Sequence, residues 1–512
     1  MKSKRSLSQK LGFYLGLAAF LGVLVFGDFS PGKPLVTRMA AVAILMAIWW
    51  MTEAIPLFAT ALLPLVLFPF LGILKAKLTA PIYINSTIFL FLGGFMIALA
   101  MQKYNLHHRI ALYIIRLIGG GPARIVLGFM IAAAFLSMWI SNTATAMMMV
   151  PIGLAIILQM EDEFDKQRAH KFTVCLMLGI AYACSLGGMA TLVGTPPNLS
   201  FARIFEITFP KAPAIFFGQW MMLGLPIAIV MLIVVWLLLT KVFFRFPAEL
   251  KIDREVINRE YQELGPMSYE EKAVFVTFIL TALLWVFRKK LILGLITIPG
   301  WAQLLPYPQL IDDGTIAIGM ALLLFFVPTR SKSCSTATIM CADILKQLPW
   351  NIVLLFGGGF ALAKGFQVTG LSALLGSHFS GLAGMNPLTM IVSICFSLTF
   401  LTEFTSNTVT TEMILPILAS MSVAMKINPL LLMIPATLSA SCAFMMPVAT
   451  PPNAIIFGSG RVKIAEMVRV GLLINIIGVI IIAVMFYILG QSVFGINPSE
   501  VPAWAEQVGS IL

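Results

Sequence analysis

The triplet Ser141-Asn142-Thr143 interrupts one long apolar stretch of this chain, and Ser406-Asn407-Thr408 interrupts another. A stretch that crosses a bilayer must satisfy its backbone polar groups internally, as a helix or within a closed barrel. Irregular backbone at that depth is tolerated only where it lines a cavity or is buried in protein. Here the break occurs twice, with matching flanks. FLSMWISNTATAMMMVPI and FLTEFTSNTVTTEMILPI each carry a hydroxyl residue four positions before the triplet (Ser137, Thr402) and a proline eight positions after its Thr (Pro151, Pro416). A second pair of breakers follows downstream, Gly194-Thr195-Pro196-Pro197-Asn198 and Ala449-Thr450-Pro451-Pro452-Asn453. Two duplicated, helix-breaking motifs in apolar surroundings point to a pseudo-symmetric transport site.

The surroundings are apolar throughout. Hydrophobic residues make up 59% of the 512 residues and charged residues 11%, against about 25% charged in soluble domains. Runs near 20 residues long, such as 11–26, 220–239 and 472–489, read as membrane helices rather than barrel strands. The net charge of +12 reflects lysines and arginines gathered in cytoplasmic loops, and nucleic-acid binding is set aside. Lys2, Lys4, Arg5 and Lys10 precede an apolar run without a small-residue cleavage site, which reads as a retained first helix. The six cysteines lack Cys-x-x-Cys spacing and read as core residues; His107, His108, His170 and His378 have no metal-ligand spacing.

Taken together these features predict an all-α polytopic membrane protein with about 11 transmembrane helices and two re-entrant hairpins. The spans fall near 11–28, 36–52, 57–73, 84–101, 172–209, 218–240, 272–290, 313–328, 350–370, 431–457 and 467–490. The hairpins are 125–160 and 388–424. A straight helix of 36 residues would reach about 54 Å, whereas the hydrocarbon core is about 30 Å thick; two half-spans meeting at the Ser-Asn-Thr triplet fit. Most of the 34 basic residues then fall inside, with the N-terminus cytoplasmic and the C-terminus outside. An offset of 265 residues relates 141 to 406, and also Phe95 of FLGGF to Phe360 of FGGGF. Five crossings separate the hairpins, an odd number, so the repeat is inverted. The expected division is a first helix in 1–35, a first repeat in 36–242, a charged cytoplasmic connector in 243–271, a second repeat in 272–490 and an extracytoplasmic tail in 491–512.

The chemistry of the breaks is neutral. A half-helix starting at mid-membrane exposes backbone N–H groups that attract anions; one that ends there exposes carbonyls suited to Na⁺. The prolines after Thr195 and Thr450 are expected to stop their helices. No Lys or Arg lies in any of the four motifs, so substrate charge must be balanced by dipoles and co-bound cations. Met147–Met149 and the FLGGF and FGGGF glycines read as packing residues. Glu53, Glu403, Glu412 and Lys364 look buried, and proton sites, ion sites, structural pairs and interfacial positions are all open for them. The chain has no His-Glu-x-x-His, Gly-x-Ser-x-Gly or P-loop pattern, which argues against an enzyme and against an ATP-driven pump within this chain.

From WWMTEAIP (49–56) to ASCAFMMPVATPPNAIIF (440–457), the chain resembles the divalent anion–sodium symporter family, which includes sodium-coupled dicarboxylate and citrate transporters. The resemblance implies a homodimer in which a scaffold domain holds the dimer and a transport domain moves as an elevator. It implies one Na⁺ near Ser137, Ser141, Asn142 and Gly194, and a second near Thr402, Ser406, Asn407 and Ala449. Substrate carboxylates would meet Ser141, Asn142, Thr143, Thr195, Pro196, Ser406, Asn407, Thr408, Thr450 and Pro451. Both triplets are intact, which favours symport over exchange. The expected protein is a multi-pass cell-membrane transporter (inner membrane in a Gram-negative cell) without a bound cofactor. It would use Na⁺ as coupling ion to import C4-dicarboxylates such as succinate, malate or fumarate. The alternative is a dicarboxylate or citrate exchanger, or a sulfate carrier, on the same fold.

Overall fold

A computed structural model describes residues 6–164, 166–246, 255–293, 296–330, 337–379, 381, 385–498 and 500–506. Lys2, Lys4 and Arg5, the connector residues Lys251 and Arg254, Lys332, Cys334 and the tail residues 507–512 lie outside the described residues. Among the described residues the regular structure is helical apart from one short antiparallel strand pair, β1 (Leu291–Leu293) with β2 (Ile296–Ile298), and an isolated bridge between Pro328 and Thr338. Among the described residues, eight helices are long and apolar enough to cross a bilayer, and five shorter apolar helices accompany them.

The first helix, α1 (Leu7–Phe26), opens on a capping box between Ser6 and Gln9. It pairs with α2 (Pro34–Thr52), where Phe13 stacks on Trp49 at 5.2 Å. Next come α3 (Leu57–Ala61), α4 (Leu63–Phe70) and the single turn α5 (Ala76–Thr79). The first repeat unit then runs α6 (Ser86–Lys103), α7 (Leu106–Ile118), α8 (Pro122–Ser137), α9 (Asn142–Phe164), α10 (Lys166–Met189), α11 (Pro196–Thr208) and α12 (Phe217–Leu237). After α13 (Glu255–Glu263), α14 (Tyr269–Val286) and α15 (Asp313–Phe326), the same series returns. It reads α16 (Trp350–Thr369), α17 (Leu371–Phe379), α18 (Pro387–Leu401), α19 (Asn407–Ala424), α20 (Leu430–Ala440), α21 (Pro451–Gly458) and α22 (Ile464–Met485). Each element from α6 to α12 has its counterpart ten helices later.

The expected spans 172–209 and 431–457 are interrupted beside their Thr-Pro-Pro-Asn motifs, at 190–195 and 441–450. Sequence pattern and structure differ in two places. The segment between the fourth span and the first hairpin is not a loop but the amphipathic α7, with Leu106, Ala111, Leu112 and Ile115 buried at helical spacing. Its Arg109 forms a buried ion pair with Glu271 at 2.5 Å and donates to the Gly265 and Leu264 carbonyls, which moors α7 to α14. Lastly, Pro196 and Pro451 do not stop helices. They occupy first-turn positions of α11 and α21, where a proline's missing N–H costs nothing and its fixed φ favours the helix.

The glycines of FLGGF and FGGGF bring helices together. A Cβ on Gly93 would meet the backbone of Ala317 in α15 at 2.6 Å, and one on its counterpart Gly358 would meet that of Ala61 in α3 at 2.6 Å. Cys175, Cys184, Cys395 and Cys442 are free and buried. Met149 is buried too, but Met147 is 61% exposed.

Candidate functional site

The four breaks meet around one cavity of about 390 Å³. Its lining includes Ser141, Asn142 and Thr143; Gly194, Thr195, Pro196 and Pro197; Ser406, Asn407 and Thr408; and Ala449, Thr450, Pro451 and Pro452. Phe91, Phe95, Trp139, Leu57, Phe58 and Asn351 supply the walls. All ten residues expected to meet substrate are therefore in one place. Six of the eight expected Na⁺ residues line the cavity as well; Ser137 and Thr402 stand behind it, fully buried. Among the described residues, no charged side chain lines it.

Each break starts a helix at the cavity. α9 begins at Asn142, α19 at Asn407, α11 at Pro196 and α21 at Pro451. Four helix N-termini thus converge on a site without charged side chains, each contributing roughly half a positive charge. The donors differ between the pairs. At α9 and α19 the first-turn amides of Asn142, Thr143, Asn407 and Thr408 have no preceding carbonyl to bond. At α11 and α21 the tandem prolines remove those amides, leaving the Thr195 and Thr450 hydroxyls as donors. Thr450 Oγ1 also accepts from Asn453 N at 3.4 Å, so its proton is free to point elsewhere.

Behind each hairpin tip lies a group of oxygens. Asn142 Oδ1 is 2.5 Å from Ser137 Oγ. The same end of the amide is 3.3 Å from the Cys184 and Gly194 carbonyl oxygens. With Oδ1 turned toward them, these groups form an all-oxygen cluster that suits a hard monovalent cation; with the amide turned over, Nδ2 ties the same three oxygens together. Gly188 makes the approach possible, because a Cβ there would meet Asn142 Oδ1 at 2.6 Å. In the second repeat, Thr402 Oγ1 lies 2.6 Å from Asn407 Oδ1 and 3.0 Å from the Ala440 carbonyl oxygen. The residues match pairwise: Ser137 with Thr402, and Asn142 with Asn407.

Unwound backbone needs partners, and residues outside the expected site supply them. Asn198 Nδ2 donates to the Gly188, Met189 and Thr191 carbonyls at 2.7 to 3.3 Å. Asn453 Nδ2 does the same for Ala443 and Met446 at 3.0 and 3.1 Å. Both asparagines are fully buried. Their sequence signal was the last letter of the duplicated Thr-Pro-Pro-Asn motif. Glu403, next to Thr402, accepts from the amides of Phe444, Met445 and Met446 at 2.7 to 2.9 Å and from Asn475 Nδ2 at 2.7 Å. It is therefore a structural clasp between the second hairpin tip, the 441–450 break and α22. Glu53 is exposed, ending α2 in a left-handed conformation at φ 47°. Lys364 donates to Gln367 Oε1 at 2.7 Å. Glu412 is fully buried on α19 and does not line the cavity.

The repeats are alike in sequence order but unlike in cover. Trp139, beside the first tip, is half-buried, stacked with Phe217 at 5.9 Å and edge-on to Phe278 of α14 at 5.2 Å. Its counterpart Phe404 is 71% exposed. Val193 is half-buried, while its counterpart Val448 is 79% exposed. One side of the cavity is shut by aromatic packing and the other is not.

Residues 11–496 match the family model described as "Sodium:sulfate symporter transmembrane region". A protein named sodium-dependent dicarboxylate transporter SdcS, from Staphylococcus aureus, is 43% identical over 510 residues, covering 98% of this chain and 95% of that protein. Its Staphylococcus saprophyticus namesake is 40% identical over 500 residues, covering 97% and 94%. Two solved structures share the fold at 12% identity. They are Neisseria gonorrhoeae MtrF, with a TM-score of 0.54 over 92% of this chain and 97% of that one, and the Alcanivorax borkumensis YdaH transporter, with 0.55 over 89% and 98%.

Proposed function

The chain belongs to the sodium:sulfate symporter family of multi-pass membrane transporters, and from that premise we infer that it couples Na⁺ entry to import of C4-dicarboxylates such as succinate, malate or fumarate. As a symporter-family member it is not an enzyme, and Na⁺ is its coupling ion rather than a resident cofactor. One observation carries the dicarboxylate reading: four helix N-termini surround a cavity with no charged lining among the described residues. Two carboxylates can be held by the two hairpin tips, and the paired oxygen clusters behind them offer a place for two Na⁺. A dianion with two Na⁺ is neutral, which such a site can carry through the membrane at the least electrostatic cost.

The exchange of sides follows from the repeat. In this reading α1–α6 and α14–α16 form the scaffold that holds a homodimer, and the hairpins α8–α9 and α18–α19 move with α10–α12 and α20–α22. With the N-terminus cytoplasmic and the C-terminus outside, Leu57, Phe58 and Asn351 stand near the cytoplasmic ends of α3 and α16. The cavity then faces inward, and the Trp139 side is the closed outer gate.

The deciding experiment is uptake of labelled succinate into proteoliposomes with and without an inward Na⁺ gradient. Concentrative uptake that needs Na⁺ and is competed by malate and fumarate is expected. Uptake driven equally by internal dicarboxylate without Na⁺ would make the protein an exchanger. Competition by sulfate or citrate alone would move the substrate to the other branches of the family.

A further inference from the structure

We propose that Glu412 is a proton-binding site whose charge state biases which way the transporter faces. The inference rests on the alternating-access reading above, and its geometry is separate from the substrate cavity.

Glu412 sits on α19 with no exposed surface. Its Oε1 accepts from Ser200 Oγ of α11. Its Oε2 has no hydrogen-bond partner among the described residues. The carboxyl lies flat on α16 at Gly359, where an added Cβ would overlap Oε2, so no room remains there for a hydrated ion. The charged groups on the elements packed against α19 are engaged elsewhere. Lys364 of α16 donates to Gln367, Arg203 of α11 pairs with Glu206, Arg38 of α2 donates to the Leu71 carbonyl, and His378 of α17 contacts the Leu374 carbonyl; α20 carries none. An ionised carboxylate without a counter-charge in such a place is costly, and the group instead takes up a proton.

The repeat indicates what happens in the opposite state. The counterpart of Glu412 is Met147, 61% exposed on α9. The counterpart of Gly359 is Gly94, which lines the cavity, where the atoms nearest an added Cβ belong to Trp285 and Val193 at 3.4 Å and beyond. The second hairpin is seated on α16, and the first has no such seat on α6. Alternating access through an inverted repeat exchanges the two arrangements. Glu412 then leaves Gly359 and is uncovered, its O–H bond breaks, and the proton passes to water to leave a carboxylate. The covered state holds one more proton, so acid favours the state seen here and alkali the opposite one. A single linked proton can shift the balance by at most about tenfold per pH unit.

The test uses the full chain in proteoliposomes with Phe404→Cys, which reports the exposed side, labelled by a membrane-impermeant maleimide between about pH 6 and 8.5. Labelling of the parent chain is subtracted. Rates with Glu412 are divided by rates with Glu412→Gln, which cancels the reagent's own pH dependence. The ratio should fall several-fold as pH rises. A ratio constant with pH overturns the proposal. Should Glu412→Gln fail to fold, Ser200→Ala serves. Loss of the hydroxyl that supports the carboxylate should move the labelling transition to higher pH, and an unmoved transition overturns the proposal. Labelling that ignores Na⁺ and succinate at every pH would instead sink the alternating-access reading. Labelling that responds to Na⁺ but shows a flat pH ratio sinks only the role of Glu412.

Discussion

At the scale of single residues, the two asparagines of the triplets carry the heaviest expectation. Asn142 and Asn407 each reach back to a buried hydroxyl, Ser137 and Thr402, while opening a helix at the cavity. Asn142→Ala and Asn407→Ala should each abolish Na⁺-driven uptake while leaving a folded protein by size-exclusion profile and thermal melt; near-normal uptake in either would move the site elsewhere. Asn198 makes a different kind of prediction. Its Nδ2 bonds the Gly188 and Met189 carbonyls at the end of α10 and the Thr191 carbonyl in the break that follows, so Asn198→Ala should lower stability by about 1–3 kcal/mol, the cost of buried carbonyls left unpaired. Asn198→Asp keeps the size but sets a further acceptor against those carbonyls, and its melting temperature should fall further than that of Asn198→Ala. These roles were unevenly legible. The triplets announced themselves through duplication in an apolar setting. Glu403 did not, because its partners are backbone amides more than 40 residues away, and sequence shows no backbone geometry. Glu53 looked buried from its apolar neighbours, but it ends α2 and is exposed.

At the scale of elements, the hairpins and unwound helices were readable because length and polarity conflict with bilayer thickness, whichever way they are folded. The amphipathic α7 was hidden by its charges, which resemble a cytoplasmic loop until Arg109 is seen paired with Glu271. The prolines were misplaced by one element, since a proline both ends and begins helices, and only the backbone shows that Pro196 and Pro451 begin them. Packing between elements yields two predictions. Gly358→Ala places a methyl against Ala61 of α3, an overpacking expected to cost about 1–3 kcal/mol in unfolding experiments. Unequal cover of the repeats predicts that a cysteine at Val448 reacts with a bulky maleimide at least about tenfold faster than one at Val193, given 79% exposure against partial burial. Equal rates would mean that the two sides of the cavity are equally open in solution.

For the whole molecule, substrate and Na⁺ should bind cooperatively. Asn142 and Asn407 each line the cavity and also belong to the oxygen group behind it, so, in the proposed reading, an ion on one side would fix the tip that the anion meets on the other. Succinate affinity measured by calorimetry should be about 5- to 150-fold tighter in Na⁺ than in choline, matching couplings of about 1–3 kcal/mol, and linkage requires Na⁺ affinity to rise by the same factor with succinate. Equal affinity in both salts would break the shared-tip argument. The convergence of four helix N-termini also bears on how such a protein can diversify. A positive field built from peptide groups is not encoded by any one side chain, so exchanging one neutral side chain for another leaves it in place. Mutation can reach the walls instead: Phe91, Phe95, Trp139, Leu57 and Asn351 set the cavity's length and girth. Lineages of this architecture are therefore free to drift among anions of different size while remaining committed to anions, and an engineer seeking a new cargo would do better to reshape the walls than to place a charge.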